Sequence, residues 1–188
     1  MIVKPDTKFF LAESLKELSQ KKSVDKITVK EIVKNCGLTP PTFYNHFHDK
    51  YALIEWIYSS AAEKIMSRIG TDGYTWRDTL ADAINYFFAN RDFLNNLIVN
   101  TSGQTSFINY AAQFNTKILS DYIKESQNLK TLPESVEISV KVYCYGTVCM
   151  ICEVLTKPPQ ISSKDFVKML EESLPESLKK YLYKTSPK

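Results

Sequence analysis

The chain has 188 residues, enough for one medium domain or a small module joined to a larger one, with a substantial buried core. Hydrophobic residues at 44% and charged residues at 24% exclude a disordered or fibrous chain, and five Gly against 12% aromatics point to packed helices rather than a turn-rich β-sandwich. The net charge of +3 is too small to announce a nucleic-acid binder, but it is unevenly placed: residues 1–50 hold nine Lys and six acidic groups, and residues 51–188 hold fifteen basic and fifteen acidic groups.

The first expected element is an amphipathic helix between Asp6 and Lys22, where Phe9, Phe10, Leu11, Ala12, Leu15 and Leu18 recur at helical spacing. Thr28 stands three residues before Glu31, the spacing of an N-capping box, so a short second helix should start there and end at Cys36-Gly37. Thr39 as N-cap, with Pro40 and Pro41 in the first turn, predicts a third helix to about Phe47. Asp49 then caps a fourth, reaching about Ile69, and Gly70 to Tyr74 reads as a linker. Further helices are expected at about Thr75 to Ala89, Arg91 to Val99, Thr105 to Ser126, Pro133 to Leu155 and Ser163 to Tyr183, with breaks at Ser102-Gly103, Gln127 to Thr131 and Lys157-Pro158-Pro159. Period-two alternation is absent over any useful length. The fold class is therefore all-α with about nine helices, divided into a small module at 1–49 and a larger helical domain at 50–188.

Two short helices joined by a tight Gly-containing turn, behind a supporting helix, form a helix-turn-helix, whose second helix enters the major groove of double-stranded DNA. That second helix begins Thr39-Pro40-Pro41-Thr42, presenting small groups and backbone N–H atoms, and continues through Tyr44, Asn45 and His46. Thr or Pro can touch a thymine methyl, Asn can read adenine, and Tyr and His can reach phosphates or bases. Lys30 and Lys50 are placed to clamp the DNA backbone, and Thr28 adds a hydroxyl at a helix N-terminus. Phe43 and Phe47, four apart, make the buried face, which leaves Tyr44 for a phosphate. His48, two residues beyond His46, faces elsewhere and is a weaker candidate.

The run from Ile27 to Leu53, with its core Thr42-Phe43-Tyr44-Asn45-His46-Phe47-His48-Asp49-Lys50, resembles the DNA-binding domain of the tetracycline-repressor (TetR) family of transcriptional regulators. The resemblance implies DNA contacts from Thr28, Lys30, Pro40, Pro41, Thr42, Tyr44, Asn45, His46 and Lys50, and a regulator, most often a repressor, released from or fitted to its operator by an effector. Pro40 replaces the long polar residue that several members use to read a base, which favours methyl contact or shape readout there. Tyr143-x-Tyr145-Gly146, followed by an apolar helix and a Pro-containing loop, is similar to regulators of dihydroxyacetone kinase operons, although that group carries a Trp where Val154-Leu155 stand here.

The uncharged window Phe93 to Thr116 mixes aromatics with amides and hydroxyls, which suits either a mostly apolar pocket or an ordinary helix pair with polar outer faces. Tyr86, Phe87, Phe107, Tyr110, Phe114 and Tyr143 are the expected effector contacts, with the effector itself, small molecule or protein, unspecified. The apolar residues of the last two helices mark a homodimer surface, and the fourth helix is the expected coupling element. Cys149-x-x-Cys152 reads as buried helical thiols, with thiol oxidation as the alternative control; zinc would need two further ligands. No cofactor, no metal and no enzyme motif is expected, because a Gly-rich phosphate loop, nucleophile elbow and His-Glu metal cluster are all missing.

A secretory leader is not expected, since Asp6, Lys8, Glu13 and Lys16 interrupt the N-terminal stretch. The most apolar charge-free stretch, between Lys141 and Glu153, falls short of the ~20 residues of a membrane helix. A cytoplasmic protein without membrane partners is the expectation.

Overall fold

A computed structural model describes residues 6–103, 106–157 and 161–183, and among them there are ten α-helices, one 3₁₀ turn and no strand. The helices are α1 Thr7–Ser19, α2 Val29–Asn35, α3 Pro40–Tyr44, α4 Lys50–Met66, α5 Trp76–Ala89, α6 Arg91–Asn100, α7 Phe107–Ser126, α8 Glu134–Thr156, α9 Ser163–Glu172 and α10 Glu176–Leu182; the 3₁₀ turn is Val24–Lys26. The all-α expectation is met, with one helix more than counted, because residues 163–183 form two helices. Pro175 stands in the N-cap position of α10, and the Ser173 N–H and Leu174 N–H close the end of α9 on the Met169 and Glu171 carbonyls. A proline three residues after the last residue of α9 cannot continue that helix. Thr105, Pro158 and Pro159, which figured in the expected boundaries, lie outside the described residues.

Two compact units are present: residues 1–60 with 91–107, and residues 61–90 with 108–188. This differs from a simple cut at 49/50, because α6 packs with α1 and the 3₁₀ turn, and α4 contributes residues to both units.

In the first unit, Leu11 and Leu15 of α1, Ile32 of α2, Phe43 of α3 and Leu53 of α4 are all essentially inaccessible. At roughly 1.5–3 kcal/mol for each fully buried large side chain, this small core is what a short helix such as α3 depends on, since five residues cannot hold a helix by themselves. Ser14, buried on α1, donates to the Ile32 carbonyl at 2.7 Å and so ties α1 to α2 through a satisfied polar contact.

In the second unit α5 packs on α9 and α8, and α10 packs on α8. Tyr143 of α8 is 6% exposed, lies against Trp76 and donates its hydroxyl to the Leu170 carbonyl at 3.0 Å. Glu171 accepts from Tyr183 at 2.9 Å and pairs with Arg77 at 3.3 Å. Helix α8 is long and apolar enough, by length and composition only, to cross a membrane, a test that the core helix of a soluble protein also passes. Its Val136, Val140, Val148, Ile151 and Leu155 are buried inside the protein, as in the core helix of a helical domain.

Candidate nucleic-acid interface

Three local devices build the surface around α2 and α3. The first is the capping box: Thr28 Oγ1 accepts the Glu31 N–H, and the Glu31 carboxylate accepts the Thr28 N–H at 2.8 Å. The second is the turn after α2, where Gly37 takes φ +70°, the Leu38 N–H bonds the Val33 carbonyl at 2.8 Å and the Gly37 N–H bonds that of Lys34 at 3.4 Å. That pair of bonds is a Schellman termination, which needs a left-handed residue and therefore favours glycine. The third is Thr39, whose hydroxyl caps α3 by accepting the Thr42 N–H.

Phe43 then points inward, with Phe47 at 5.8 Å between ring centroids and Trp56 a further 6.0 Å on. With the inward face filled, Tyr44 stays 58% exposed, its ring edge against Phe43. Pro40, Pro41, Asn45 and His46 are exposed as well, and Thr42 is half-buried. Thr39 and Thr42 share one hydrogen bond of 2.9 Å between their hydroxyls, so whichever donates, the other keeps a free O–H. Lys30 is exposed on α2, and with Lys34, Pro40 and Tyr44 it borders a shallow groove of about 410 Å³ floored by Val29, Val33 and Leu38. Lys34, not among the residues expected from the sequence, stands one turn after Lys30 on the same helix face.

Three sequence expectations change here. The two prolines at the start of α3 have no N–H, and the Thr42 N–H is used by Thr39, so the first turn offers side chains and not backbone donors. The Thr28 hydroxyl donates to Glu31, which also accepts from Lys22 at 2.7 Å; these contacts, the Lys22 ammonium first, hold the Glu31 carboxyl at a pKa of about 2. Lys50, half-buried, donates to the backbone carbonyls of Val24 at 2.8 Å, Asp25, and Ile27 at 2.9 Å. An ammonium has three donor hydrogens, so Lys50 is spent as a strut behind the start of α2 rather than left free for a phosphate. Desolvation lowers its pKa.

The residues expected around an effector fall in different places. Phe107 belongs to the first unit and lies edge-on to Tyr58, with centroids 5.4 Å apart. Tyr143 is committed to Trp76 and Leu170 as described. In the second unit, Tyr110 and Phe114 stack on one face of α7 with centroids 5.9 Å apart, and Tyr86 lies beside the buried Phe87. Among the described residues, the Tyr86 hydroxyl is buried without a hydrogen-bond partner, and burial pushes its pKa up to about 12.

Residues 12–57 match the family described as bacterial regulatory proteins, tetR family, and residues 74–176 match the transcriptional regulator C-terminal region. The chain belongs to the tetR family. It is accordingly a helix-turn-helix transcriptional regulator and not an enzyme, in a family whose members typically form homodimers and bind ligands.

The HTH-type dhaKLM operon transcriptional activator DhaS of Lactococcus lactis is 26% identical over 93 residues, 50% of this chain and 49% of that protein. The match thus spans about half the length of this curated relative. Among solved structures, the dihydroxyacetone kinase operon activator DhaS superposes with a TM-score of 0.67 at 17% identity, covering 94% of this chain and 98% of its own. A TetR transcriptional regulator from Streptococcus agalactiae follows at 0.62 and 17%, covering 89% and 93%. The tetR-family repressor AlkX of Dietzia has a TM-score of 0.55 at 16% identity, covering 95% and 98%. At these identities the structural likeness speaks for the fold alone.

Proposed function

We propose that this regulator binds a two-fold symmetric operator as a homodimer, with residues 1–49 reading DNA and residues 50–188 supplying the dimer surface and an effector site, in the cytoplasm. The observation that carries the reading is the α3 surface: Phe43 and Phe47 are buried, which leaves Thr42 and Tyr44 on the outer side of α3, and Asn45 and His46 exposed in the turn that follows it. Lys30 and Lys34 flank it as phosphate contacts, Thr39 and Thr42 offer one free hydroxyl, and Pro40 and Pro41 meet thymine methyls or groove shape. Thr28 and Lys50 act on this surface from behind, by fixing where α2 begins.

For the dimer, α8 keeps Ile138, Val142 and Met150 at 57%, 66% and 47% exposure, with spacings of four and eight residues that put them on one helix face. A second copy of this face, together with Met169 on α9, is the covering we propose for them. For the effector, the orphaned Tyr86 hydroxyl supports a small molecule with a polar group over a protein partner, because a buried unpaired hydroxyl costs about 1–3 kcal/mol that a ligand atom can return. Of the two thiols expected to be buried, Cys149 is exposed instead, while Cys152 is buried with its pKa pushed up to about 12 by desolvation, which disfavours control by thiol oxidation of the pair. The DhaS relatives are described as activators, which favours activation over the repression that the family resemblance leads one to expect.

Selection of duplexes from a random pool by the purified protein tests the reading. It should enrich a palindrome with half-site centres about 34–36 Å apart, or a multiple of that. Enrichment of no sequence, or of one asymmetric half-site, would overturn it; a reporter behind the selected site reads the sign of regulation.

A further inference from the structure

Asn96 lies on α6, inside the uncharged window that the sequence assigned to a ligand pocket or to an ordinary helix pair. Its carboxamide instead meets the junction between α1 and α2. Nδ2 donates to the carbonyls of Ser19 at 2.8 Å and Lys22 at 2.9 Å, while Oδ1 accepts the Val24 N–H at 2.9 Å and Nδ2 of Asn100 at 3.0 Å. A primary carboxamide has two donor hydrogens and two acceptor lone pairs, so this one is full. Its orientation is also fixed: turned over, the amide would set an oxygen against two carbonyls and an NH₂ against the Val24 N–H.

The groups that Asn96 satisfies are the ones helix ends leave over. Ser19 is the last residue of α1, and its carbonyl has no partner within that helix. Val24 opens the 3₁₀ turn, and Ser23, in the N-cap position before it, makes no side-chain capping bond. The Gln20 and Lys21 N–H groups serve the Glu17 and Leu18 carbonyls, and Asn96, from more than 70 residues away, serves what they leave over: the Ser19 and Lys22 carbonyls and the Val24 N–H. The same junction is gripped elsewhere by Lys50, through the Val24, Asp25 and Ile27 carbonyls, and Lys22 continues from it to Glu31 in the capping box of α2.

We propose that Asn96 is a positioning residue for DNA reading: by capping the end of α1 and the start of the 3₁₀ turn together, it fixes where α2, and through the Gly37 turn α3, stand relative to α1. This rests on α3 being the DNA-reading helix. It gives a residue of α6, between two helices of the second unit in chain order, a direct hold on the DNA-binding module.

The test has two arms. Amide exchange followed by NMR, on the full chain without DNA, judges the capping. The Val24 N–H and the Asn96 side-chain amide should exchange far more slowly than neighbouring loop amides in the wild type, and protection over residues 20–28 should fall in Asn96→Ala while α8 and α9 are unchanged. Exchange of these groups at loop rates in the wild type would overturn the proposal, even if the variant proved unable to fold. Affinity for the selected duplex at fixed salt judges the positioning. Asn96→Ala should weaken binding by about tenfold or more, and Asn96→Asp, equal in shape but without donors for the Ser19 and Lys22 carbonyls, should be no better. Tyr44→Ala serves as the reference: a large loss there with none in either Asn96 variant overturns the positioning role, an Asp variant that binds like the wild type reduces Asn96 to packing, and no loss in any of the three removes the DNA-reading assignment of α3 itself.

Discussion

Lys50 separates two accounts of a lysine beside the helix-turn-helix, a phosphate clamp and an internal strut. The perturbation is Lys50→Met, which keeps the length of the stem and removes the ammonium. Three carbonyls, those of Val24, Asp25 and Ile27, lose their donor. A hydrogen bond to a charged group contributes about 1.5–3 kcal/mol in net terms, but the three share one partly solvated ammonium and water can replace some of them, so the combined loss should be about 2–3 kcal/mol and not their sum. Urea unfolding at pH 7, compared at equal slope with the wild type, measures it. The salt dependence of binding to the selected duplex supplies the second reading. A phosphate contact contributes close to one unit to the slope of log affinity against log salt, and a strut contributes none. A strut at Lys50 gives lowered stability, weaker binding and an unchanged slope in Lys50→Met. Unaltered stability with a slope smaller by about one would refute it and restore Lys50 to the DNA.

Other consequences are open to simpler measurements. Glu31 has its carboxyl depressed by Lys22 and Thr28, so its contribution to stability is fully present above the ordinary carboxylate value near 4.5 and disappears as pH falls toward about 2; acid unfolding of Glu31→Gln, followed by circular dichroism, should lack that part of the pH dependence, and a titration identical to the wild type would contradict the pairing. Among the α8 thiols, Cys149 is exposed while Cys144 and Cys152 are buried with pKa values near 12, so a thiol reagent should label Cys149 first and the other two only on unfolding. Equal labelling of Cys149 and Cys152 in the folded protein would revive thiol control. Tyr86→Phe removes a buried hydroxyl without a partner and should stabilise the ligand-free protein by about 1 kcal/mol in thermal unfolding; a drop in Tm would mean that the hydroxyl is bonded after all.

The part of this protein that reads directly from sequence is the part held by neighbours in sequence. Thr28, three residues before Glu31, and Thr39, directly before Pro40 and Pro41, are local start signals, and both mark helix starts in the structure. Phe43 and Phe47, one turn apart, carry enough periodicity to assign the buried face and so to expose Tyr44. Pro175 was equally local and marks the break between α9 and α10, but the Leu170, Leu174, Leu178 and Leu182 stripe runs through it at unbroken spacing, and periodicity outweighed the proline. Lys50 and Asn96 were illegible for a different reason. A lysine near a DNA-reading helix and an asparagine in an uncharged window look like solvent-facing or ligand-facing groups, and only the folded chain brings them to backbone atoms 23 to 77 positions away. Tyr143 and Phe107 went astray in the same way, as aromatics that suit a pocket wall in composition and are used in the packing of two separate units.

Tyr44 is where the DNA-binding claim is most directly exposed to measurement, because its side chain is mostly in solvent and contributes little that folding needs. The affinity of Tyr44→Ala for the selected duplex, taken beside the wild type at one salt concentration and with unfolding curves for both, should fall by about tenfold or more, the loss of roughly one phosphate-bonding group, while stability changes by less than about 0.5 kcal/mol. Wild-type affinity in that variant would mean that the α3 surface does not face DNA.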